Sequence, residues 1–253
     1  MGEGGWFRAV RVIACAVVSA LVWSISLIPI PGQTDAEAQS SAVRVPILVY
    51  HNIDDSGSTY AVTPEMLDAQ CRWLIENGYT AITIGQFWDA AFNGGSLPPH
   101  PIVLTNDDGW ASAVTFAAIL SQYGLVGNYF ITNYSPLTAD QIYLLMQNGP
   151  VQAHTANHQW LSKLDYTAQL SEITENKTYI EGITGVPVRF LAWPFGDVNA
   201  SAIEAATAAG IAGAFGLGGR PCYIGALDPY HIPRIMMEAT DTLETFAAKV
   251  NGW

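Results

Sequence analysis

The segment PIVLTNDDGW, residues 101–110, runs from an apolar stretch into two adjacent aspartates and a glycine. Residues 102–106 are predicted as a buried strand, so that Asp107 and Asp108 stand at its carboxyl end. Two neighbouring carboxylates are costly to hold together unless a positive charge lies between them or one keeps its proton. Asp-Asp-Gly alone is also common in turns. A second cluster therefore decides how this segment is interpreted.

That second cluster is HTANH, residues 154–158, which follows another short predicted strand. The i, i+4 spacing of His154 and His158 predicts that both imidazoles lie on one face of a helical turn, close enough to share a metal ion. Together with one aspartate they would give three protein ligands and an open position for water, which is typical of catalytic zinc. His-x-x-x-His alone is often a solvated helix face, but the chain has only 5 His. Two of them at this spacing favour a metal site.

Around these segments, short apolar runs alternate with helical patterns. Strands are predicted at 45–51, 81–84, 102–106, 127–132, 151–154, 189–193, 212–217 and 231–237, and helices at 64–77, 86–92, 111–123, 138–147, 166–183, 200–209 and 243–250. This alternation predicts an α/β fold, a distorted (β/α) barrel of about seven to eight parallel strands. An open doubly wound sheet would want a Gly-rich phosphate loop after the first strand, and residues 50–54, YHNID, are not one.

Chain length limits the number of domains, and net charge limits the classes of binding partner. The 253 residues suit one barrel domain, predicted at 45–253, after a polar linker at 39–44. The formal net charge of -12 argues against binding to nucleic acid or to anionic membranes, which need a basic surface.

The N-terminus predicts export. Arg8 and Arg11 precede an apolar stretch at 12–30, and Ala36-Glu37-Ala38 offers small residues for a peptidase. Residues 1–38 are therefore predicted as a signal peptide cleaved after Ala38, or as an uncleaved N-terminal anchor that makes the only membrane contact. Either places the protein outside the cytoplasm, in the extracellular space, in the periplasm or on the outer side of a membrane. There, Cys71 and Cys222 can form a disulfide or remain as free buried thiols.

Five motifs in this order resemble the polysaccharide deacetylase family (NodB homology, carbohydrate esterase family 4). Among its members, the branch of poly-β-1,6-N-acetylglucosamine deacetylases is the most similar. The resemblance covers roughly residues 46–237. Its motifs are PILVYHNI at 46–53, LTNDDG at 104–109, AHTANH at 153–158, AWPFGD at 192–197 and IPRI at 232–235.

The resemblance implies a role for each motif residue. Asp107 is the general base and His51 the general acid, and the metal ligands are Asp108, His154 and His158. The backbone N–H of Phe195 is an oxyanion donor. Arg234 holds one of the carboxylates, with Arg189 as the weaker candidate.

Other positions follow from residue type. Trp110 and Trp193 flank two motifs, and aromatic faces near a sugar site often stack on pyranose rings, so both are candidates for substrate contact. Core packing is an equally good interpretation of Trp193, and Tyr60 and Tyr134 are further candidates for the cleft. Asn106 stands where the family usually has an apolar or aromatic residue. It is expected either to hydrogen-bond a carboxylate or to fill a tolerant layer of the barrel.

The sequence thus predicts a metal-dependent hydrolase that removes N-acetyl groups from N-acetylglucosamine in an exopolysaccharide or cell-wall glycan. Water on one divalent metal ion, for which two imidazoles and a carboxylate favour zinc, would attack the acetamide, with Asp as base and His as acid. Two alternatives stay open: an acetyl-xylan esterase, and a non-catalytic carbohydrate-binding protein that retains the metal site. The glycan linkage and the oligomeric state are not predicted.

Overall fold

The computed structural model describes residues 43–252, in which short strands alternate with helices. The strands are β1 (Arg44–Val45), β2 (Ile47–Tyr50), β3 (Asn52–Ile53), β4 (Ala61–Val62), β5 (Thr80–Ala81), β6 (Pro101–Asn106), β7 (Asn128–Ile131), β8 (Val151–Ala153), β9 (Phe190–Ala192), β10 (Gly213–Phe215), β11 (Cys222–Tyr223) and β12 (Ile235–Met236). The helices are α1 (Pro64–Glu76), α2 (Ile84–Phe92), α3 (Ala113–Gln122), α4 (Ala139–Asn148), α5 (Tyr166–Thr184), α6 (Ala200–Ala208) and α7 (Leu243–Asn251). The predicted export segment and residues 39–42 of the predicted linker lie outside the described residues.

One parallel sheet organises the chain. Its order is β10-β9-β8-β7-β6-β2-β12, and β5 pairs with the first two residues of β6. A parallel bridge between Phe215, at the end of β10, and Ile232, just before β12, joins the two edges. The N–H of Gly216 donates to the Ile232 carbonyl at 2.8 Å across this seam. The prediction of a distorted (β/α) barrel of seven to eight parallel strands is confirmed.

Alternation along the strands divides the apolar side chains into two cores. Leu48 and Leu104 belong to the larger core, which includes the inner faces of every described helix except α2. Their neighbours Ile47 and Val103 belong to a smaller core that also contains Phe130. Because successive side chains of a strand point to opposite faces, the smaller core fills the barrel interior. Most of the site residues described below follow the carboxyl ends of the strands above this core.

Local signals explain where the helices begin. The Thr63 side chain accepts the Met66 N–H at the start of α1, and Pro64 takes the first helical position, where its missing N–H is harmless. Thr83 and Gln86 form a capping box at the start of α2. These contacts fix the residues at which α1 and α2 begin.

Several strand predictions were wrong in detail. The predicted strand 45–51 is two strands, because β1 pairs antiparallel with β11 while β2 enters the barrel. Arg44, predicted as linker, lies in β1. The predicted strand 231–237 shrinks to β12, since the preceding residues form the seam to β10. The pair β3–β4 was not predicted at all.

Two further expectations concern the thiols and the membrane. Cys71 and Cys222 are free and buried, so of the two alternatives the structure shows the unbridged one. Burial raises the pKa of each thiol to about 12, which keeps both protonated. Within residues 43–252, no helix combines the length and apolarity needed to cross a membrane.

Candidate active site

A cleft of about 440 Å³ opens at the carboxyl ends of the barrel strands. The site residues predicted from sequence that line it are His51, Asp107, Asp108, His154, His158, Trp193, Phe195 and Arg234. These positions are far apart in the chain. Most of them follow parallel strands that end at this mouth, whereas Arg234 precedes β12 and reaches Asp107 through its long side chain. Trp110, Tyr134 and Arg189 are candidates that do not line the cleft.

Asp107 is paired with Arg234. The guanidinium donates from its two terminal nitrogens to the two carboxylate oxygens, at 2.8 and 2.7 Å. Asp107 is 2% exposed and Arg234 1%. Burial alone would raise the pKa of Asp107, but the charge and hydrogen bonds of Arg234 outweigh it and lower the pKa. Asp107 is therefore held ionised in a fixed orientation. The weaker candidate, Arg189, lies over the Phe190 ring instead.

Asp108 turns away from Asp107 and towards the imidazoles. Its φ of 71° is unusual for a residue with a side chain. Its Oδ1 lies 3.3 Å from His154 Nε2 and 3.4 Å from His158 Nε2, while its Oδ2 accepts the Trp110 indole N–H at 2.9 Å. Burial would raise the pKa of Asp108, but the surrounding imidazoles outweigh it and lower the pKa. Trp110 thus contacts a candidate ligand rather than the cleft space.

The two histidines present a free nitrogen to Asp108. His154 Nδ1 donates to the Ala192 carbonyl at 2.8 Å, which leaves the Nε2 lone pair directed into the cleft. The pKa of His154 is raised, because the two aspartates outweigh the opposing effect of its burial. Burial, followed by the neighbouring His154, lowers the pKa of His158 to about 4, so that ring is neutral at pH 7.

The segment that carries both histidines is not helical. Thr155 and His158 have φ of 64° and 50°, and residues 154–158 form an irregular loop after β8. The prediction that the two imidazoles share one face of a helical turn was wrong. They meet through the loop instead, with ring centroids 4.7 Å apart.

The donor set fits a divalent metal ion. The ligand atoms of Asp108, His154 and His158 all lie within 4.8 Å of one another. Ligand atoms about 2.1 Å from a tetrahedral ion lie about 3.4 Å apart, close to the two distances from Asp108 Oδ1. That oxygen is buried and has no hydrogen-bond partner among the described residues. A buried carboxylate oxygen without a donor is the atom that a cation would satisfy.

His51 stands across the cleft, directly after β2. Its Nδ1 is buried without a hydrogen-bond partner in the described part of the chain, and burial lowers its pKa. Its backbone carbonyl accepts the Asn106 Nδ2–H at 2.7 Å. Asn106 therefore does neither of the things expected from sequence. It holds the backbone of His51 instead of bonding a carboxylate or filling a tolerant layer.

Exposed aromatic rings form one wall of the cleft. Trp160 and Phe195 stack with centroids 4.2 Å apart and planes 7° apart, and the two side chains are 44% and 45% exposed. Phe195 has φ of 58° and also packs on His158 at 4.5 Å. Trp160 and Leu217 were missed, because an exposed apolar residue in a loop carries no periodicity. Met236 was missed because it lies in a predicted strand, where an apolar residue indicates core packing.

The remaining aromatic candidates from the sequence occupy different positions relative to the cleft. Trp193 is buried and donates its indole N–H to the Tyr230 carbonyl, so it is mainly a core residue at the base of the cleft. Tyr60 lines the cleft beside His51, with ring centroids 5.5 Å apart, whereas Tyr134 does not line it.

Comparison with known proteins shows what this chain is similar to. The polysaccharide deacetylase family model matches residues 94–214, which include the two aspartates, the two histidines and Phe195. YxkH of Bacillus subtilis (strain 168), which is named as a polysaccharide deacetylase, is 26% identical over 174 residues, 66% of this chain and 62% of YxkH. The poly-beta-1,6-N-acetyl-D-glucosamine N-deacetylase of Escherichia coli (strain K12) is 38% identical over 69 residues, 26% of this chain and 10% of that protein.

The chain thus spans less than two thirds of the length of these relatives. Among solved structures, BA0330 of Bacillus anthracis, also named as a polysaccharide deacetylase, superposes with a TM-score of 0.74 at 26% identity. The match covers 83% of this chain and 69% of that one.

Proposed function

We propose, from the similarity of residues 94–214 to the polysaccharide deacetylase family, that this chain removes N-acetyl groups from N-acetylglucosamine residues of a polysaccharide in a metal-dependent hydrolysis. One observation carries the proposal. An aspartate fixed by an arginine and a separate Asp-His-His trio face the same cleft. The general base and the metal ligands are therefore different side chains, as amide hydrolysis at a metal centre requires.

Asp108, His154 and His158 would hold the metal ion. The chemistry that such an ion supplies is Lewis acidity towards the amide carbonyl and towards water. His154 is suited to this role because its Nδ1–H is already committed to the Ala192 carbonyl. His158 is suited because its ring is neutral at pH 7.

Asp107 accepts the proton from the attacking water. Its Oδ2 lies 3.8 Å from His154 Nε2, next to the ligand set but outside it. Arg234 keeps the carboxylate ionised and prevents it from rotating towards the ligand position. A positioned, ionised carboxylate contributes about 10²–10⁴-fold to such a proton transfer.

His51 donates the proton that the leaving amine needs. Because burial lowers its pKa, its protonated form gives up a proton readily to an amine. The backbone N–H of Phe195 helps to stabilise the developing oxyanion, and the positive φ of Phe195 fixes the direction of that N–H.

The cleft walls favour a neutral sugar polymer. Trp160 and Phe195 on one side and Tyr60 on the other present apolar surface, which can pack against the C–H faces of pyranose rings. The similarity to the E. coli enzyme favours a poly-β-1,6-N-acetylglucosamine among the possible glycans. An acetyl-xylan ester is the alternative substrate, and a binding protein without turnover is the alternative function.

Acetate release from a panel of glycans tests the proposal. N-acetylglucosamine oligomers with β-1,6 and β-1,4 linkages would be compared with acetyl-xylan, each with and without added zinc. Metal-dependent release from an amino-sugar oligomer supports the proposal. Release from acetyl-xylan alone would make the protein an esterase, and tight glycan binding without release would make it a binding protein.

We also propose that the mature protein begins near Gln39 and acts outside the cytoplasm. The support is the charged start, the apolar stretch at 12–30 and the small residues at 36–38. N-terminal sequencing of the secreted and membrane fractions separates cleavage from anchoring. Recovery only from the cytosol with Met1 intact would contradict export.

A further inference from the structure

Helix α5 holds the loop that presents the two histidines. Glu172 is 6% exposed, and its two carboxylate oxygens accept the backbone N–H and the side-chain Nδ2–H of Asn157, both at 2.8 Å. Its backbone carbonyl accepts the Ala156 N–H at 2.9 Å. One residue thus makes three hydrogen bonds to the segment between the histidines.

One turn further along α5, Asn176 holds the beginning of the same loop. Its Oδ1 accepts the His154 N–H at 2.8 Å. Its Nδ2 donates to the Ile131 carbonyl at 3.0 Å and to Asn133 Oδ1 at 2.9 Å. The helix therefore ties the loop to the end of β7, with His154 fixed at the strand end and residues 156–157 fixed by Glu172.

A carboxylate at position 172 needs an explanation, because a buried negative charge is unfavourable unless it is paired. No Lys, Arg or His of the described residues forms an ion pair with Glu172. Its partner Asn157 supplies two donors and needs two acceptors. A glutamine offers only one acceptor oxygen, and its NH₂ group would face a donor.

The loop also has to be held against its own conformational preference. Thr155 and His158 both have positive φ, which side-chain-bearing residues adopt only where the surroundings impose it. Between these two positions lie Ala156 and Asn157, the residues that Glu172 binds. The contact is therefore placed where it fixes the direction in which His158 leaves the loop.

We propose that Glu172 is a positioning residue for the metal site, acting through Asn157 to hold His158 in ligand geometry. The inference rests on the metal site of the proposed function. It adds that the affinity and geometry of this site depend on a carboxylate in α5 that does not line the cleft.

Metal binding by the full chain tests the proposal without an activity assay. Glu172→Gln is compared with Glu175→Gln, the same substitution on the same helix at an exposed residue whose contact is with Ser171. Zinc affinity of the metal-free protein is measured by competition with a chromogenic chelator, and cobalt(II) provides a visible spectrum that reports ligand geometry. Glu172→Gln is expected to bind zinc about 10–100-fold more weakly and to change the cobalt spectrum, as loss of a ligand's supporting contact does. Glu175→Gln is expected to match the wild type.

A second variant guards against failure of Glu172→Gln to fold. Asn157 is exposed, so Asn157→Ala removes one of the two bonds to Glu172 with little risk to the core. It is expected to weaken zinc binding less than Glu172→Gln and to shift the cobalt spectrum in the same direction. Wild-type zinc affinity and an unchanged cobalt spectrum in both variants would overturn the positioning role. A wild-type chain that binds no zinc or cobalt would overturn the metal site itself, and the inference with it.

Discussion

The floor and the rim of the cleft are built in different ways. On the floor, Asp107 and His154 directly follow β6 and β8, and Arg234 directly precedes β12, and all three are buried. On the rim, Asp108, His158 and Phe195 sit in loops with φ of 71°, 50° and 58°. The strands of the barrel determine the geometry of the floor. The rim residues have positive φ, which residues with side chains rarely adopt, so specific contacts must hold them in place.

The boundary between floor and rim runs between two neighbouring residues. Asp107 is fixed by Arg234, while Asp108 faces the imidazoles and the Trp110 indole. Adjacent aspartates therefore have separate environments, which the Asp-Asp spacing alone does not reveal. The strand ends fix the positions of Asp107 and His154, whereas loop backbones with positive φ set the directions of Asp108 and His158.

The largest expected effect separates these two aspartates. Asp107→Asn is expected to keep metal affinity while the rate of deacetylation falls by about a hundredfold or more, because the base is lost and the ligands remain. Asp108→Asn is expected to lose metal first and to recover in part when metal is added. Bound metal and acetate release are measured on both variants. If Asp107→Asn loses the metal and Asp108→Asn keeps it, the roles of base and ligand are reversed between the two aspartates.

Removing Arg234 tests whether its buried ion pair with Asp107 stabilises the floor. Arg234→Met leaves the buried Asp107 carboxylate without its cation and is expected to lower the free energy of unfolding by about 3–5 kcal/mol. The matched double variant, Asp107→Asn with Arg234→Met, should lose less, since no charge is stranded. Denaturant unfolding of both proteins gives the two values. Equal losses would show that the pair is not coupled.

A smaller effect is expected from Asn106, which links the floor to His51. Asn106→Leu removes the bond to the His51 carbonyl and is expected to slow acetamide hydrolysis by about tenfold, the equivalent of about one to two kcal/mol. Aryl acetates have a leaving group that needs no proton, so their hydrolysis should hardly change. The reference is His51→Ala, which should show the same selectivity more strongly.

His51→Ala should also change the pH profile. Activity that depends on a protonated imidazole falls as the pH rises through its pKa, so removing His51 should remove the alkaline limb of the profile. Equal losses on amide and aryl ester, with the alkaline limb retained, would contradict the assignment of His51 as the acid.

The smallest expected effect lies at the outer rim. Trp160→Ala removes the ring that stacks on Phe195 and is expected to raise KM for a glycan oligomer several-fold while kcat changes less. Tyr166→Ala, at an exposed aromatic residue that does not line the cleft, is the control. A kcat loss as large as the KM change would mean that the stack supports His158 or Phe195 rather than the substrate.

The sequence predicts the floor better than the rim for a physical reason. Apolar periodicity predicts strands, and the parallel barrel then brings residues 51, 107, 154 and 234 to one mouth. The conformation of the 154–158 loop depends on Glu172 and Asn176, which lie 14 or more residues beyond the loop, so i, i+4 spacing suggested a helical turn that does not form. The same limit applies to the Trp160–Phe195 stack and to the Asn106 contact with His51. Each of these joins segments that no local pattern connects.

The proposed function makes this cleft a metal-dependent deacetylase centre. Its most direct test is acetate release from an N-acetylglucosamine oligomer after exhaustive dialysis against a chelator, followed by titration with zinc. Activity is expected to disappear with the metal and to return in full at one equivalent of zinc per chain, while Asp108→Asn is expected to need a large excess. Full activity in protein shown to be free of metal would contradict the account.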